Sequence, residues 1–213
     1  MMKSSQYEGF WKFIKLLDDN DLLEHIILIG SWAEYLYAQS CILPGFKANL
    51  RTLDIDFLIK NMRRPIMPVS VATLAKISGY TVDYDIMLGT TKIYSPDLLE
   101  IEFLISQHGS GEKQVIETNL GVNAQALRHL SSLKDYTINL SLFDFQITVP
   151  IPEAYIAQKI AINNERGKKA EKDRQAILGM MPYLDNDLFQ EIRKSMTKKE
   201  NQAIEDFLKL YDL

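Results

Sequence analysis

Two aspartates in the stretch RTLDIDFLIK are the residues of this sequence most suited to chemistry. Asp54 and Asp56 stand two positions apart in an apolar run that alternates like a β-strand, so both carboxylates project from one face. Like charges at that spacing repel each other, and a carboxylate removed from water needs a partner. The pattern predicts either that this face of the strand is exposed to water, or that a cation neutralises the two carboxylates. Mg²⁺ is such a cation, because it prefers carboxylate oxygens as ligands.

Upstream of the aspartates, the stretch LIGSWAEYL has the order strand, Gly-Ser, helix. Gly30 permits a sharp turn and a close approach of the backbone to a ligand. Ser31 stands at the start of the predicted helix, where free N–H groups and the helix dipole favour an anion such as phosphate. The alternative is a serine that merely caps its helix, which is the commoner meaning of such a pair.

A second acidic strand, LLEIEFLIS, repeats the pattern of the aspartate strand. Glu100 and Glu102 share one face, while the intervening apolar residues face the other way. Two such strands side by side would form a carboxylate patch with an apolar back. We predict that one glutamate is a third carboxylate of the site and favour Glu102, because it precedes the same apolar triplet, FLI, as Asp56 does. The alternative is an exposed face with ordinary acids.

The C-terminal part adds a local excess of positive charge. Within residues 159–174 lysines and arginines outnumber acids, although the whole chain has a net charge of −4. From this segment we select Lys159, Arg166 and Lys172 as groups that neutralise a triphosphate or the backbone of a nucleic-acid acceptor. The alternative is a solvated charged face, which is the commoner meaning of a charged run.

A phosphate cradle beside paired carboxylates suits phosphoryl or nucleotidyl transfer.

The composition of the chain is that of an ordinary globular protein. Its 213 residues are 46% hydrophobic and 24% charged, with one cysteine and three histidines. A single cysteine excludes an internal disulfide and a cysteine-rich zinc site, and the scattered histidines lack zinc-ligand spacing. No run reaches the roughly 18 apolar residues of a membrane span, and the N-terminus does not resemble a signal peptide. We therefore predict a cytoplasmic protein without a membrane partner.

The predicted elements divide the chain into an α/β domain, residues 1–150, and a helical domain, residues 151–213. The first helix is predicted at residues 4–18, with further helices in SWAEYLYAQS, VSVATLAKISGY and NAQALRHLSSL. Besides the two acidic strands, EHIILIG, TVDYDIML and TKIYS are predicted as strands. We predict a strand-ending turn at HGSGEK and a hairpin in YTINLSLFDFQITVP. The pattern indicates an α+β fold followed by a C-terminal helical region.

Taken together, Gly30-Ser31, the helix after it, RTLDIDFLI and the later acidic strand resemble the nucleotidyltransferase fold superfamily, which includes polymerase β. The segments TVPIPEAYIAQKIAINNER and KKAEKDRQAILGM are similar to the Pro-Glu-Ala, Lys and Lys-Asp helices of a bacterial branch of that superfamily. That branch is also similar to the toxins of type IV toxin–antitoxin systems. The resemblance spans about residues 26–180. Two departures are a long loop before Asp54 and a Glu as third acid, where the superfamily usually has Asp.

The resemblance implies a nucleotidyltransferase-type mixed sheet with helices on one face. It implies that Asp54, Asp56 and Glu102 hold Mg²⁺ or Mn²⁺, and that Ser31 contacts a triphosphate. The implied reaction moves a nucleoside monophosphate from an NTP to an acceptor hydroxyl and releases pyrophosphate. The acceptor stays open between RNA, protein and a small molecule. The alternative is a non-catalytic nucleotide-binding or protein-interaction module on the same fold, including a toxin–antitoxin component.

Overall fold

A mixed β-sheet forms the centre of the first part of the chain. The computed structural model describes residues 4–48, 50, 52–107 and 114–213. The sheet strands are β1 (Ile26–Ile29), β2 (Asp54–Ile59), β3 (Thr81–Tyr84), β4 (Thr91–Tyr94), β5 (Glu100–Ser106), β6 (Val115–Glu117) and β7 (Asn123–Leu127). Within these ranges they form one sheet in the order β1-β2-β5-β4-β3, with β7 also beside β5 and β6 beside β7. The predicted turn HGSGEK lies outside the described residues.

The helices of the first part pack against the strands and against one another. They are α1 (Ser4–Asp18), α2 (Ser31–Gln39), α3 (Val71–Ile77) and the short α4 (Ser131–Asp135). Phe13 of α1 packs against Phe57 of β2, with 6.0 Å between ring centroids, and Phe57 stacks on Phe103 of β5. Trp32 of α2 stacks on Phe10 of α1 at 4.2 Å. These buried rings lie behind the carboxylates, as the alternation along the two acidic strands predicted.

The second part of the chain is a hairpin followed by helices. A two-stranded sheet of β8 (Thr137–Leu142) and β9 (Phe145–Pro150) leads into α5 (Pro152–Ile162), α6 (Ala170–Met180), α7 (Asn186–Ser195) and α8 (Lys198–Tyr211). Helix α5 is buried along most of its length, because α6, α7 and α8 pack around it. The hairpin and the helical region confirm the predicted α+β fold class. The domain boundary near Pro150 stays a prediction.

None of the helices in the described ranges is long and apolar enough to cross a lipid bilayer.

The prediction of a helix throughout NAQALRHLSSL is wrong in its first half. Residues 123–127 form β7, which pairs in parallel with β5 and antiparallel with β6. Ala124 and Ala126 are buried while their neighbours are partly exposed, which is the period of two expected of a strand. Alanine favours helices, but β5 extends past β4 and offers backbone groups that need a partner strand. Tertiary pairing therefore overrides the local preference, and the helical prediction holds just for α4.

Candidate active site

The residues predicted to do chemistry meet at a cavity of about 360 Å³ between the carboxylate face of the sheet and helices α5 and α6. Six of the predicted residues line it: Gly30, Asp54, Asp56, Glu102, Lys159 and Arg166. The other two adjoin it, because Lys172 donates a hydrogen bond to Ser31 at 3.3 Å (Nζ to Oγ), directly after Gly30. One cavity thus brings together side chains that are more than a hundred residues apart in the sequence.

The carboxylates come together because β2 and β5 are parallel neighbours. The register places Asp54 opposite Glu100 and Asp56 opposite Glu102. Burial, followed by the negative charges of Glu102 and Asp54, raises the pKa of Asp56 to about 6, although the positive charges of nearby Lys169 and Arg166 oppose this rise. Such repulsion between acids is reduced when a cation binds them.

Gly30 brings the backbone into contact with the carboxylates. It adopts φ +71°, a conformation that residues with a side chain rarely take, and a Cβ there would lie 2.7 Å from Oδ2 of Asp56. The N-cap position of α2 is Gly30, without a side-chain cap, so Ser31 does not cap its helix. Its hydroxyl instead faces Lys172. The structure therefore does not show the alternative role of Ser31 as a simple cap.

Lys92 of β4 is a cation at the carboxylate face that the sequence analysis did not select. The antiparallel register of β4 and β5 places it opposite Glu102. Its Nζ forms ion pairs with Glu100 and, at 3.0 Å, with Oε1 of Glu102. The hydrogen bond to Glu100 is the largest cause that raises the pKa of Lys92 above its usual range. Of the two glutamates, Glu102 lines the cavity and Glu100 does not.

Lys159 lies in a buried ion-pair network. It is 6% exposed, and its Nζ is 2.6 Å from Oδ1 of Asp173 and 3.7 Å from Oε1 of Glu34. Arg166 completes the network, with Nε at 2.8 Å from Oδ2 of Asp173, while Tyr155 donates its hydroxyl to Glu34 at 2.5 Å. The network ties α2, which follows the Gly-Ser turn, to α5 and α6.

The seven-residue spacing of Lys159, Arg166 and Asp173 does not reflect one continuous helix. Helix α5 ends at Ile162, and two short 3₁₀ turns lead into α6. The three side chains meet because α5 and α6 fold against each other.

Lys169 is a second cation that the sequence analysis left unassigned within the basic segment. Its Nζ is 3.5 Å from Oδ2 of Asp54, and it lines the cavity. Burial and the neighbouring charge of Lys159 lower the pKa of Lys172, which contacts Ser31. The basic segment therefore supplies at least two cations next to the carboxylates and the Gly-Ser turn. The signal in the sequence was the pair of lysines in GKKAEK. The sequence did not show which of them faces the carboxylates, because that depends on how α6 packs.

The donor chemistry of the site fits a hard divalent cation. Asp54, Asp56 and Glu102 offer carboxylate oxygens, and the ammonium groups of Lys169 and Lys92 already stand against this negative charge. Across the described residues, no three Asp, Glu, His or Cys side chains are close enough to enclose a metal by themselves. A cation bound to these carboxylates would therefore complete its shell with water or with oxygens of the substrate.

Comparison with known proteins identifies the family. The sequence profile of a nucleotidyltransferase family matches residues 10–200, which include the whole cavity. The chain belongs to this nucleotidyltransferase family. It is an enzyme of nucleotidyl transfer, and the resemblance inferred from its motifs is confirmed. Comparison with curated protein sequences finds no significant match.

Two solved structures share the fold of this nucleotidyltransferase. An antigenic nucleotidyltransferase-like protein from Paracoccidioides brasiliensis superposes with a TM-score of 0.58 and 17% identity, over 98% of this chain and 89% of that chain. The antibiotic-resistance factor ANT(2'')-Ia gives a TM-score of 0.50 and 12% identity, over 99% of this chain and 95% of that chain. At these identities the likeness establishes the fold.

Replacing Gly30 should damage the active site of the nucleotidyltransferase more than its stability. In Gly30→Ala the new Cβ would clash with Asp56, so we expect at least a tenfold loss of metal-dependent nucleotide binding. The strained backbone should also lower the free energy of unfolding by about 1–2 kcal/mol. Gly79→Ala is a matched control, because Gly79 also has a positive φ but has nothing within 4 Å of the Cβ position. Equal binding losses in both variants, measured by calorimetry, would contradict this account.

The choice between the two glutamates can be tested separately. We expect Glu102→Gln to reduce transfer by about a hundredfold or more, because Glu102 lines the cavity opposite Asp56. Glu100→Gln should be mild, since it removes the other ion pair of the same Lys92 without changing the cavity wall. The measurement is the transfer rate as a function of Mg²⁺ concentration. A large loss of transfer in Glu100→Gln, together with a small loss in Glu102→Gln, would instead assign the role of third carboxylate to Glu100.

Proposed function

We propose that this nucleotidyltransferase moves a nucleoside monophosphate from an NTP to an acceptor hydroxyl and depends on Mg²⁺ or Mn²⁺. The observation that carries the proposal is the convergence of Asp54, Asp56 and Glu102 beside Gly30 in one cavity. In this reaction the acceptor oxygen forms a bond to the α-phosphorus, while the bond from that phosphorus to the bridging oxygen breaks. Pyrophosphate leaves with the electron pair, and the hydroxyl proton passes to water.

The three carboxylates are proposed to bind the divalent cation. When bound, the cation would polarise the phosphoryl oxygens and neutralise charge that develops on them. The chain itself holds the carboxylates in place through the parallel register of β2 and β5. It also keeps them close to a backbone turn without a side chain, so that phosphate oxygens could approach them closely.

The triphosphate is proposed to lie at the start of α2. Gly30 and Ser31 would present backbone N–H groups and a hydroxyl there, and Lys172 already contacts that hydroxyl. Lys169 and Arg166 line the cavity and would neutralise the remaining phosphate charge. Lys159 was selected for the same role, but its two close carboxylates lead us to propose that it supports the site rather than contacting phosphate.

The acceptor is the open part of this function. RNA, protein and small hydroxyl compounds are all compatible with the reaction, and a cytoplasmic location is proposed on the sequence pattern. A non-catalytic module or toxin–antitoxin component on this fold is the competing hypothesis. It predicts nucleotide binding without transfer.

The test measures binding and transfer separately. We expect each preferred NTP to raise the thermal midpoint of unfolding in the presence of Mg²⁺. At a hundred times its dissociation constant, the NTP should add about 2.7 kcal/mol to the free energy of unfolding. Incubation with NTP labelled at the α-phosphate, together with cell RNA, protein extract or a small-molecule pool, should then label one acceptor class. Label at the γ-phosphate must stay out of the acceptor, because it leaves as pyrophosphate. Binding without α-label transfer to any pool would support the competing hypothesis.

A further inference from the structure

The cavity continues past the carboxylates, away from the Gly-Ser turn. Gly30 follows β1 at one side of the acidic strands, and β7 lies beside β5 on the other side. Arg128 and His129, directly after β7, line the same cavity as Asp56. Attacking and leaving oxygens lie roughly in line during phosphoryl transfer. If pyrophosphate leaves toward Gly30, as the proposed function requires, the acceptor enters from the β7 side.

The β7 side of the cavity has an apolar floor. Its aliphatic lining residues are Leu104, Leu127, Leu130, Leu133 and Ile162. Four of these side chains come from β5, β7, α4 and α5, and Leu130 directly precedes α4. The floor is therefore built by several elements of the fold and not by one segment. Such a surface can pack against the uncharged part of an acceptor.

The acids on this side already have partners. Glu165 forms an ion pair with Lys199 at 2.9 Å, and Glu200 accepts a hydrogen bond from Nδ1 of His129 at 2.8 Å. Arg128 has no ion-pair partner within the described ranges. The pKa of Glu165 is lowered chiefly by its hydrogen bond from Lys199, and the charge of Arg128 adds to this effect. The unmatched charge at this end of the cavity is therefore positive.

His129 is held by a buried carboxylate. Its Nδ1 donates to Oε1 of Glu200, while Oε2 of Glu200 accepts from the backbone N–H and the hydroxyl of Thr197, both at 2.7 Å. Glu200 is part of the capping box of α8 and is 8% exposed, so it cannot turn away easily. The backbone of His129 takes φ +65°, a conformation uncommon for a residue with a side chain. The ring is fixed through Nδ1, so Nε2 can contact a ligand, and it donates to an anionic group when it carries a proton.

We propose that Arg128 and His129 bind an anionic group on the acceptor. The acceptor class is then a hydroxyl compound that carries a phosphate or carboxylate, with its uncharged part on the aliphatic floor. A polycationic acceptor is disfavoured, because Glu165 and Glu200, the acids beside Arg128 and His129, already have partners within the protein. The inference rests on the proposed function, since that function decides which end of the cavity the acceptor uses.

The test is equilibrium binding with the nucleotide end of the cavity filled. The protein is first saturated with Mg²⁺ and a non-hydrolysable analogue of the NTP that stabilises it most. Glycerol 3-phosphate, glycerate, glycerol and the polycationic kanamycin are then titrated by calorimetry. We expect one or both anions to bind, at least tenfold more tightly than glycerol, and kanamycin to bind no better than glycerol. Comparing phosphate with carboxylate decides which anion the site prefers.

Variants assign the binding to the two residues. Arg128→Gln should weaken binding of the preferred anion at least tenfold, and His129→Gln severalfold, with the analogue affinity unchanged. Arg63→Gln, a change of an exposed arginine outside the cavity, is the matched control and should have no effect. Unfolding midpoints verify that all variants are folded.

Three results would overturn the proposal. They are preferred binding of kanamycin, anion binding that is indifferent to Arg128→Gln, and an Arg128→Gln variant that loses the nucleotide analogue instead of the anion. Failure of the proposed function looks different, because the α-phosphate label would then reach no acceptor, or the analogue itself would not bind to the wild-type protein. In that case the same anion titration without analogue still decides whether Arg128 and His129 form an anion site.

Discussion

Asp56→Asn should abolish metal-dependent nucleotide binding and transfer while making the protein more stable at neutral pH. The change keeps the shape of the side chain and removes a charge that burial, Glu102 and Asp54 all disfavour. Because the pKa of Asp56 is raised from 3.8 to about 6 in the folded protein, its ionisation costs stability. That cost is absent below about pH 4, grows as the pH rises toward 6 and is complete above it.

The expected gain in the free energy of unfolding is about 2–3 kcal/mol above pH 6.5, from the size of the pKa change. Urea unfolding of both proteins between pH 4 and 8 measures it. Adding Mg²⁺ and NTP should reverse the order, since only the wild-type protein gains stability from the ligand. Asp54→Asn should lose binding in the same way.

A control for the aspartate pair exists in the same sheet. Asp83 and Asp85 have the same Asp-x-Asp spacing, but both lie away from the cavity. Asp83→Asn should therefore leave nucleotide binding, transfer and their metal dependence unchanged. Full transfer activity in both Asp54→Asn and Asp56→Asn would overturn the assignment of the pair.

Lys159→Met should cause the largest loss of stability, about 3–5 kcal/mol. Removing this buried cation leaves Asp173 and Glu34, which are themselves buried, without their closest compensating charge. The free energy of unfolding, measured in urea, should partly recover in the double variant Lys159→Met, Asp173→Asn, because the second change removes a carboxylate that has lost one of its two cations.

Lys199→Ala is the control for this loss. Its ion pair with Glu165 is largely exposed, with side chains 79% and 54% accessible, so its removal should cost less than about 1 kcal/mol. If Lys159→Met instead leaves stability unchanged and weakens NTP binding, Lys159 contacts phosphate, as the sequence pattern first suggested. The two outcomes separate support of the site from direct binding.

Local sequence pattern sufficed for the elements that carry the carboxylates. Strand periodicity alone placed Asp54 with Asp56, and Glu100 with Glu102, on common faces, because successive side chains of a strand point in opposite directions. Gly30 between a buried strand and a helix was equally recognisable, since a turn with positive φ favours glycine. These features depend on residues within a few positions of one another.

Tertiary structure decided which of these residues meet and what each one faces. The parallel register of β2 and β5 pairs Asp56 with Glu102, and the antiparallel register of β4 brings Lys92 to the same carboxylate. The strand β7 was mistaken for a helix because its alanines favour helices locally, while its partner β5 comes from a distant part of the chain.

The charged residues show most clearly what the sequence determined and what the tertiary structure determined. Sequence showed that Lys159, Lys169 and Lys172 are cations in one segment, but their environments differ: Lys159 is buried between acids, Lys169 faces Asp54 and Lys172 faces Ser31. The sequence by itself determined the residue types and the faces they share, because these follow from local backbone geometry. Only the packing of α5 and α6 over the sheet determined their roles, because the energy of a charge depends on burial and on partners from elements far apart in the chain.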